Sequence, residues 1–260
     1  MKRKIIVGNW KLNGSFSMIE KFFKNLKTET LKSSKYDLIL APPFPYLIKM
    51  KEIMKKYSNI FLGAQNVDIH SDGPYTGEVS SSMLRDVGVK YTIIGHSERR
   101  KYHQENDRMI KRKILSLQKE NIIPISCIGE SLEEKELKKT ESVLIDQVKP
   151  IIDVMKKNCF EEIVIAYEPI WSIGTGKVAD SNSIQRTSNF IKKYVHDRLN
   201  IKEEKLSIIY GGSVDSMNFQ KFIREKDIDG LLIGKSSIDC RSISEILSFS
   251  GDFLNVSNTS

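Results

Sequence analysis

The segment IVIAYEP (163–169) opens with five apolar or aromatic residues in a row and then places a carboxylate, Glu168, directly before Pro169. Such a run is too short for a helix and does not alternate with polar residues. It therefore reads as a strand buried on both faces. Seven other runs have the same character: KIIVGN (4–9), YDLILAP (36–42), IFLGAQN (60–66), YTIIGHS (91–97), IIPISCIG (122–129), LSIIYGG (206–212) and GLLIGKS (230–236). Each is rich in Ile, Leu or Val and ends at Gly, Pro, Asn or Ser. Between them lie amphipathic stretches such as MIEKFFKNLKTETL (18–31), with apolar residues at three- and four-residue steps. Buried strands alternating with helices mean a parallel sheet covered by helices. About eight such units over about 250 residues point to an α/β fold of the (β/α)8 barrel kind. A doubly wound open sheet is the alternative, because periodicity does not reveal whether a sheet closes.

No Pro- or Ser-rich linker interrupts the chain, so residues 1–250 read as one domain and 251–260 as a polar tail. The hydrophobic and charged fractions, 40% and 28%, are those of an ordinary globular protein. A net charge of +8 permits an anionic partner. The lysines, however, are scattered among acids on helical surfaces, and no basic stripe interleaved with aromatics marks a nucleic-acid binder. Three cysteines without a C-x-x-C pair fit a reducing compartment. Four histidines without ligand spacing give no metal site. The start, MKRKIIVGNWK, is too briefly apolar for a signal peptide, and no run reaches the ~18 apolar residues of a membrane span. The chain reads as cytoplasmic, with no membrane and no nucleic-acid partner.

In a barrel, polar residues at the C-terminal ends of strands converge on one mouth. Those ends supply Asn9 and Lys11, Gln65 and Asn66, His96 and Glu98, Cys127, Glu168, Gly211 to Ser213, and Gly234 with Lys235. Taken singly, each has a bland explanation: a solvated lysine, a helix-capping histidine, a structural ion pair, tight glycine turns. Taken together, the bland explanations leave unexplained why all fall at one end. A different signal, GTGKVA (174–179), fits the loose dinucleotide pattern G-x-G-x-x-A. It does not directly follow a strand, and the acid at the right distance, Asp197, lies inside a helical pattern, so it is set aside.

Read in order, GNWKLN (8–13), AQN (64–66), TGEVS (76–80), GHSERR (95–100), CIGE (127–130), AYEPIWSIGTGKVA (166–179) and YGGSV (210–214) resemble the triosephosphate isomerase family. The likeness runs from about Lys4 to about Leu247. It implies a single-domain TIM barrel, no cofactor, a homodimer, and interconversion of dihydroxyacetone phosphate with D-glyceraldehyde 3-phosphate. Glu168 matches the family's proton-transferring base and His96 its neutral electrophile. That pair is a standard example of pKa tuning taken from this family, so the roles are carried over rather than deduced. Lys11 and Asn9 match the groups that stabilise the enediolate. Gly174, Ser213, Gly234 and Lys235 match the N–H donors to the phosphate, partly at a helix N-terminus. The resemblance also implies that Glu98 orients Lys11, that Cys127 packs behind Glu168 rather than acting as a nucleophile, and that Tyr210 holds a closed lid near Ala179. The lid would run from Pro169 to Ala179, with Trp171 as its rigid body and Gly174 and Gly176 approaching the phosphate.

Two departures stand out. Lys235 occupies a position where the family usually has a second glycine; if the backbone there needs φ > 0, a lysine costs about 1–2 kcal/mol. Pro74 lies in DGPYTGEVS (72–80), where a small residue is usual, and this segment is the one implied to insert into a partner subunit. Two other readings are weaker. An aldolase needs a Schiff-base lysine inside the barrel, and IVIAY has none. A non-catalytic phosphosugar binder needs no general base.

Overall fold

The computed structural model describes residues 3–27, 35–156, 162–172 and 179–249. Expectations placed on Cys159, on Gly174 and Gly176, and on the tail 251–260 lie outside the described residues. Eight parallel strands close into a barrel in sequential order: β1 (Lys4–Asn9), β2 (Tyr36–Ala41), β3 (Ile60–Ala64), β4 (Tyr91–Ile94), β5 (Ile123–Ile128), β6 (Ile163–Tyr167), β7 (Leu206–Tyr210) and β8 (Gly230–Ile233). The seam lies between β8 and β1, where Ile5 stands opposite Gly230. A Cβ on Gly230 would sit 1.9 Å from the Ile5 carbonyl oxygen, so the ring closes only around a glycine. An open sheet is thereby excluded.

The strands are apolar throughout because each feeds two cores. Successive residues of a strand point to opposite faces. Ile5 and Val7, Ile39 and Ala41, Ile125 and Cys127, Val164 and Ala166 fill the barrel interior. The residues between them, such as Ile6, Leu38, Leu40 and Ile165, pack outward against the helices. At about 1.5–3 kcal/mol for each large apolar side chain removed from water, these two layers supply the main drive to fold. The helix Phe16–Asn25 shows how the outer layer begins and ends. Ser15 accepts from the Met18 amide at its start. It stops at Leu26, which turns extended and is buried, so the helix is shorter than its sequence pattern predicts. Among the described residues no helix is long and apolar enough to cross a membrane.

The core also holds charge. Lys113, in the helix Asp107–Lys119, is among the largest fully buried side chains. Its ammonium donates to Glu105 Oε2 and to Asn66 Oδ1, both at 2.7 Å. Glu105 further accepts from the Gly95 amide and from Arg99 Nε, again at 2.7 Å each. Burial alone would raise the Glu105 pKa; Lys113, the Gly95 amide and Arg99 outweigh it and hold the carboxyl below its ordinary value of 4.5.

Removing one partner of such a buried pair leaves the other uncompensated, so Lys113→Met is expected to cost about 3–5 kcal/mol in urea unfolding at neutral pH. The pH dependence follows from the depressed carboxyl. Between the folded and unfolded pKa values the unfolded chain binds more protons. The stabilisation is therefore full above pH 4.5 and is lost as pH falls through the folded pKa. Unfolding curves collected at successively lower pH should show this acid loss in the parent and a shallower one in Lys113→Met.

Candidate active site

One pleat beyond the apolar interior, the inward position of several strands turns polar or loses its side chain. Asn9 follows Val7, Glu168 follows Ala166, Gly211 follows Ile209 and Gly234 follows Leu232. Those residues, with Lys11, His96, Gly212, Ser213 and Lys235, line one cavity of about 540 Å³ at the mouth. It has the size of a small-molecule site.

Glu168 is 3% exposed and its amide donates to the Ile128 carbonyl at 2.7 Å, extending the β5–β6 ladder by one rung. Its Oε1 lies 3.4 Å from His96 Nε2. Its Oε2 is buried and has no hydrogen-bond partner among the described residues. A buried acceptor left unpaired is costly, which makes it a place where chemistry is expected. His96 caps the helix Ser97–Tyr102: its Nδ1 accepts the Glu98 amide at 3.2 Å. An imidazole that accepts at Nδ1 carries its proton on Nε2, the nitrogen facing Glu168 and the cavity.

Lys11 sits at φ 50, a left-handed conformation that costs a non-glycine residue about 1–2 kcal/mol. The strain is held by hydrogen bonds on both sides. The Lys11 amide donates to Asn9 Oδ1 at 3.1 Å, and Gln65 Nε2 donates to the carbonyls of Lys11 at 3.0 Å and Ala41 at 2.8 Å. The Lys11 ammonium pairs with Glu98 Oε1 at 2.5 Å. Beneath the mouth, Cys127 is buried in the barrel interior; burial first, then the neighbouring Glu168 carboxylate, pushes its thiol well above the usual range. A thiol so placed is not a nucleophile.

A family model described as triosephosphate isomerase matches residues 4–250. The triosephosphate isomerase of Buchnera aphidicola subsp. Cinara cedri is 45% identical over 249 residues, covering 95% of this chain and 98% of that relative. That of Buchnera aphidicola subsp. Schizaphis graminum is 44% identical over 98% of this chain and all of the relative, and that of Haemophilus ducreyi 40% identical over 95% and 96%. The chain belongs to the triosephosphate isomerase family.

Within that family's pattern the structure places Asn9, Lys11, His96, Glu168, Ser213, Gly234 and Lys235 around one cavity, with Glu98 at its rim. Gly174 lies outside the described residues. Tyr210 is not in the cavity. Its ring is buried below, burial pushes its pKa up to about 12, and its hydroxyl has no hydrogen-bond partner among the described residues. The contact expected with Ala179 belongs to a closed lid whose residues 173–178 lie outside the described residues. The glycines of YGGSV serve close approach rather than an unusual turn, since neither has positive φ. A Cβ on Gly211 would meet Glu168 Cγ at 2.8 Å, and one on Gly212 the Tyr210 hydroxyl at 2.0 Å.

Glu130, the last residue of CIGE, has a supporting role that no local pattern marks. Its buried carboxylate accepts Trp171 Nε1 at 2.8 Å and the Tyr167 hydroxyl at 3.1 Å, and Lys135 Nζ lies 3.4 Å from the centre of the Trp171 ring. The first turn of the loop after β6 is thus docked on β5. Gln65 likewise shows in the sequence only as a strand end; its grip on the Lys11 carbonyl appears only in three dimensions.

Lys235 is exposed, begins the 3-10 turn Lys235–Ile238 and has no positive φ, so the feared backbone strain does not arise. Its ammonium makes no ion pair with the described residues, and a Cβ on the preceding Gly234 would lie 3.5 Å from Lys11 Cε. Two cations therefore share the mouth. Lys235→Gly is expected to raise KM for the triose phosphate about two- to fivefold and to flatten its rise with ionic strength. Steady-state kinetics across a salt series checks this; a kcat gain of about tenfold would instead mark Lys235 as harmful.

Proposed function

We propose that the chain interconverts dihydroxyacetone phosphate and D-glyceraldehyde 3-phosphate with Glu168 as the single base. The observation that carries this is the Glu168 carboxylate, buried at a strand end with Oε2 unpartnered and Oε1 3.4 Å from His96 Nε2. Glu168 takes a proton from C1 of the ketose, and the electron pair of that C–H bond becomes the C1–C2 double bond as the C2 carbonyl oxygen turns into an oxyanion. His96 Nε2–H and the Lys11 ammonium meet the developing charge, with Asn9 adding a hydrogen bond. A proton passes from the C1 hydroxyl to the C2 oxygen by way of His96, and Glu168 returns its proton to C2, leaving the aldehyde at C1. Every atom and electron taken is given back, so the reaction asks for no cofactor. The phosphate is gripped by backbone N–H groups at Ser213, Gly234 and Lys235, with the two lysines nearby.

A carboxamide keeps the shape of Glu168 and accepts no proton. Glu168→Gln should therefore lower kcat by about 10²–10⁴-fold while phosphate-bearing inhibitors still bind. An assay coupled to consumption of either triose phosphate measures it, and near-normal turnover overturns the assignment.

The same reading makes the protein a cytoplasmic homodimer. Leu12 is 96% exposed, and Phe16, Ile48, Met83 and Tyr102 are each more than half exposed. All lie after β1 to β4, on one side of the mouth, too many apolar groups for one rim left in water. Residues 71–78, in the loop after β3, are all exposed, and the Tyr75 ring stacks on that of His70 at 3.6 Å. Thr76 from this loop would reach the partner's mouth near Asn9 and Lys11. Thr76→Arg is expected to weaken association and to lower activity in parallel as the protein is diluted, seen by sedimentation and assay at matched concentrations. A fully active wild-type monomer would refute it.

A further inference from the structure

Four hydrogen bonds, three of them buried, make one path between the two loops that carry Lys11 and His96. Gln65 holds the Lys11 carbonyl at 3.0 Å. The next residue, Asn66, accepts from Lys113, and Lys113 also donates to Glu105. The other Glu105 oxygen accepts the amide of Gly95, the residue before His96. We infer that Lys113 is a positioning residue for the isomerisation: its ammonium pins the end of β3 to the end of β4 and so sets where Lys11 stands relative to His96. This rests on the reading of Lys11 and His96 as groups that touch the substrate.

Stability alone does not account for a lysine here. A buried ion pair replaced by apolar side chains of similar volume often leaves a protein as stable as before. Apolar groups, however, have no direction, whereas an ammonium meeting two oxygens at 2.7 Å fixes both. Both of those acceptors are themselves buried, Asn66 at 8% and Glu105 at 2% exposure. The link is therefore short and shielded. A second link between the same loops, Lys11 Nζ to Glu98, runs on the solvent side, where the Glu98 side chain is 45% exposed. Exposed pairs of that kind constrain weakly and are screened by salt. Arg99 strengthens the buried route, since it lies on the helix that His96 caps and donates to the same Glu105 carboxylate. A shift of either loop by a fraction of a residue would spoil the approach of both groups to one oxyanion while leaving the phosphate end, built from β7 and β8, in place.

The test is the double variant Lys113→Met with Glu105→Gln, which removes both charges together, alongside Asn66→Ala, which cuts the same path and keeps the ion pair. Kinetics are taken at protein concentrations where specific activity no longer changes with dilution, so that a weakened dimer is not mistaken for misplacement. The double variant should melt within a few degrees of the parent, lose about ten- to a hundredfold in kcat and keep KM within about threefold. A planar hydroxamate phosphate that mimics the enediolate should bind correspondingly more weakly, while competitive inhibition by inorganic phosphate is unchanged. Asn66→Ala should shift kcat in the same direction by a smaller factor. A folded double variant with kcat within about twofold of the parent overturns the inference, as does a kcat loss matched by an equal loss of inorganic phosphate binding. Where the double variant does not fold, the kcat of Asn66→Ala decides alone. Glu168→Gln run in the same assay separates the two readings: if it is inactive while the Lys113 and Asn66 variants are fully active, only the positioning role falls.

Discussion

The pleat of the β-strand governs this molecule. Side chains alternate between two faces, and closing the sheet turns one face into a filled interior and the other into the floor of a helical coat. Once the interior is packed with Ile, Val, Ala and Leu, the next inward position on each strand is the first that an apolar core does not claim. Asn9, Glu168, Gly211 and Gly234 occupy it. The site is thus an extension of the core's own register, and its precision is inherited from hydrogen-bond ladders that run the length of the barrel. Glu168 shows this most plainly, since its backbone amide is still a rung of the β5–β6 pairing while its side chain has left the core.

Polar groups at such a position oppose folding. Lys11 is held in a left-handed conformation, Glu168 has an unpartnered oxygen and Tyr210 an unpartnered hydroxyl among the described residues. These features persist because their surroundings are over-determined. Gln65 clamps the strained turn at two carbonyls, Glu130 fastens the start of the loop after β6, and the Lys113–Glu105 cluster braces two strand ends from behind. Rigid support below the mouth and strain at its surface are two sides of the same arrangement.

The strands and the strand-end residues were legible in the sequence, because each depends on local pattern: a short apolar run, then an abrupt change of chemistry. The closure of the sheet was not, since an open sheet has the same periodicity. Glu168 announces itself by ending such a run, and His96 by opening the helix after one. What could not be read were facts set by distant partners. Lys113 sits in KRKIL, which has the look of a solvated helical face, and nothing nearby signals that Asn66 and Glu105 draw it inside. Gly211 and Gly212 could be placed at a strand end by sequence, but that they make room for Glu168 and Tyr210 is set by distant partners. The early end of the helix at Asn25 reflects the burial of Leu26, a tertiary demand that overrides helical periodicity. Lys235 was feared as strained; its ordinary backbone became evident only from the turn that it begins.

The seam between Ile5 and Gly230 also has a history in time. A ribosome releases the first strand long before the last, so for most of synthesis β1 presents a bare edge with no neighbour on that side. Loop-closure entropy delays the joining of residue 5 to residue 230 until nearly every other contact exists. The nascent chain therefore passes through a growing, unclosed sheet whose two free edges invite other chains. Gly230, by letting the last strand lie flush against the first, ends that exposure at a single late step.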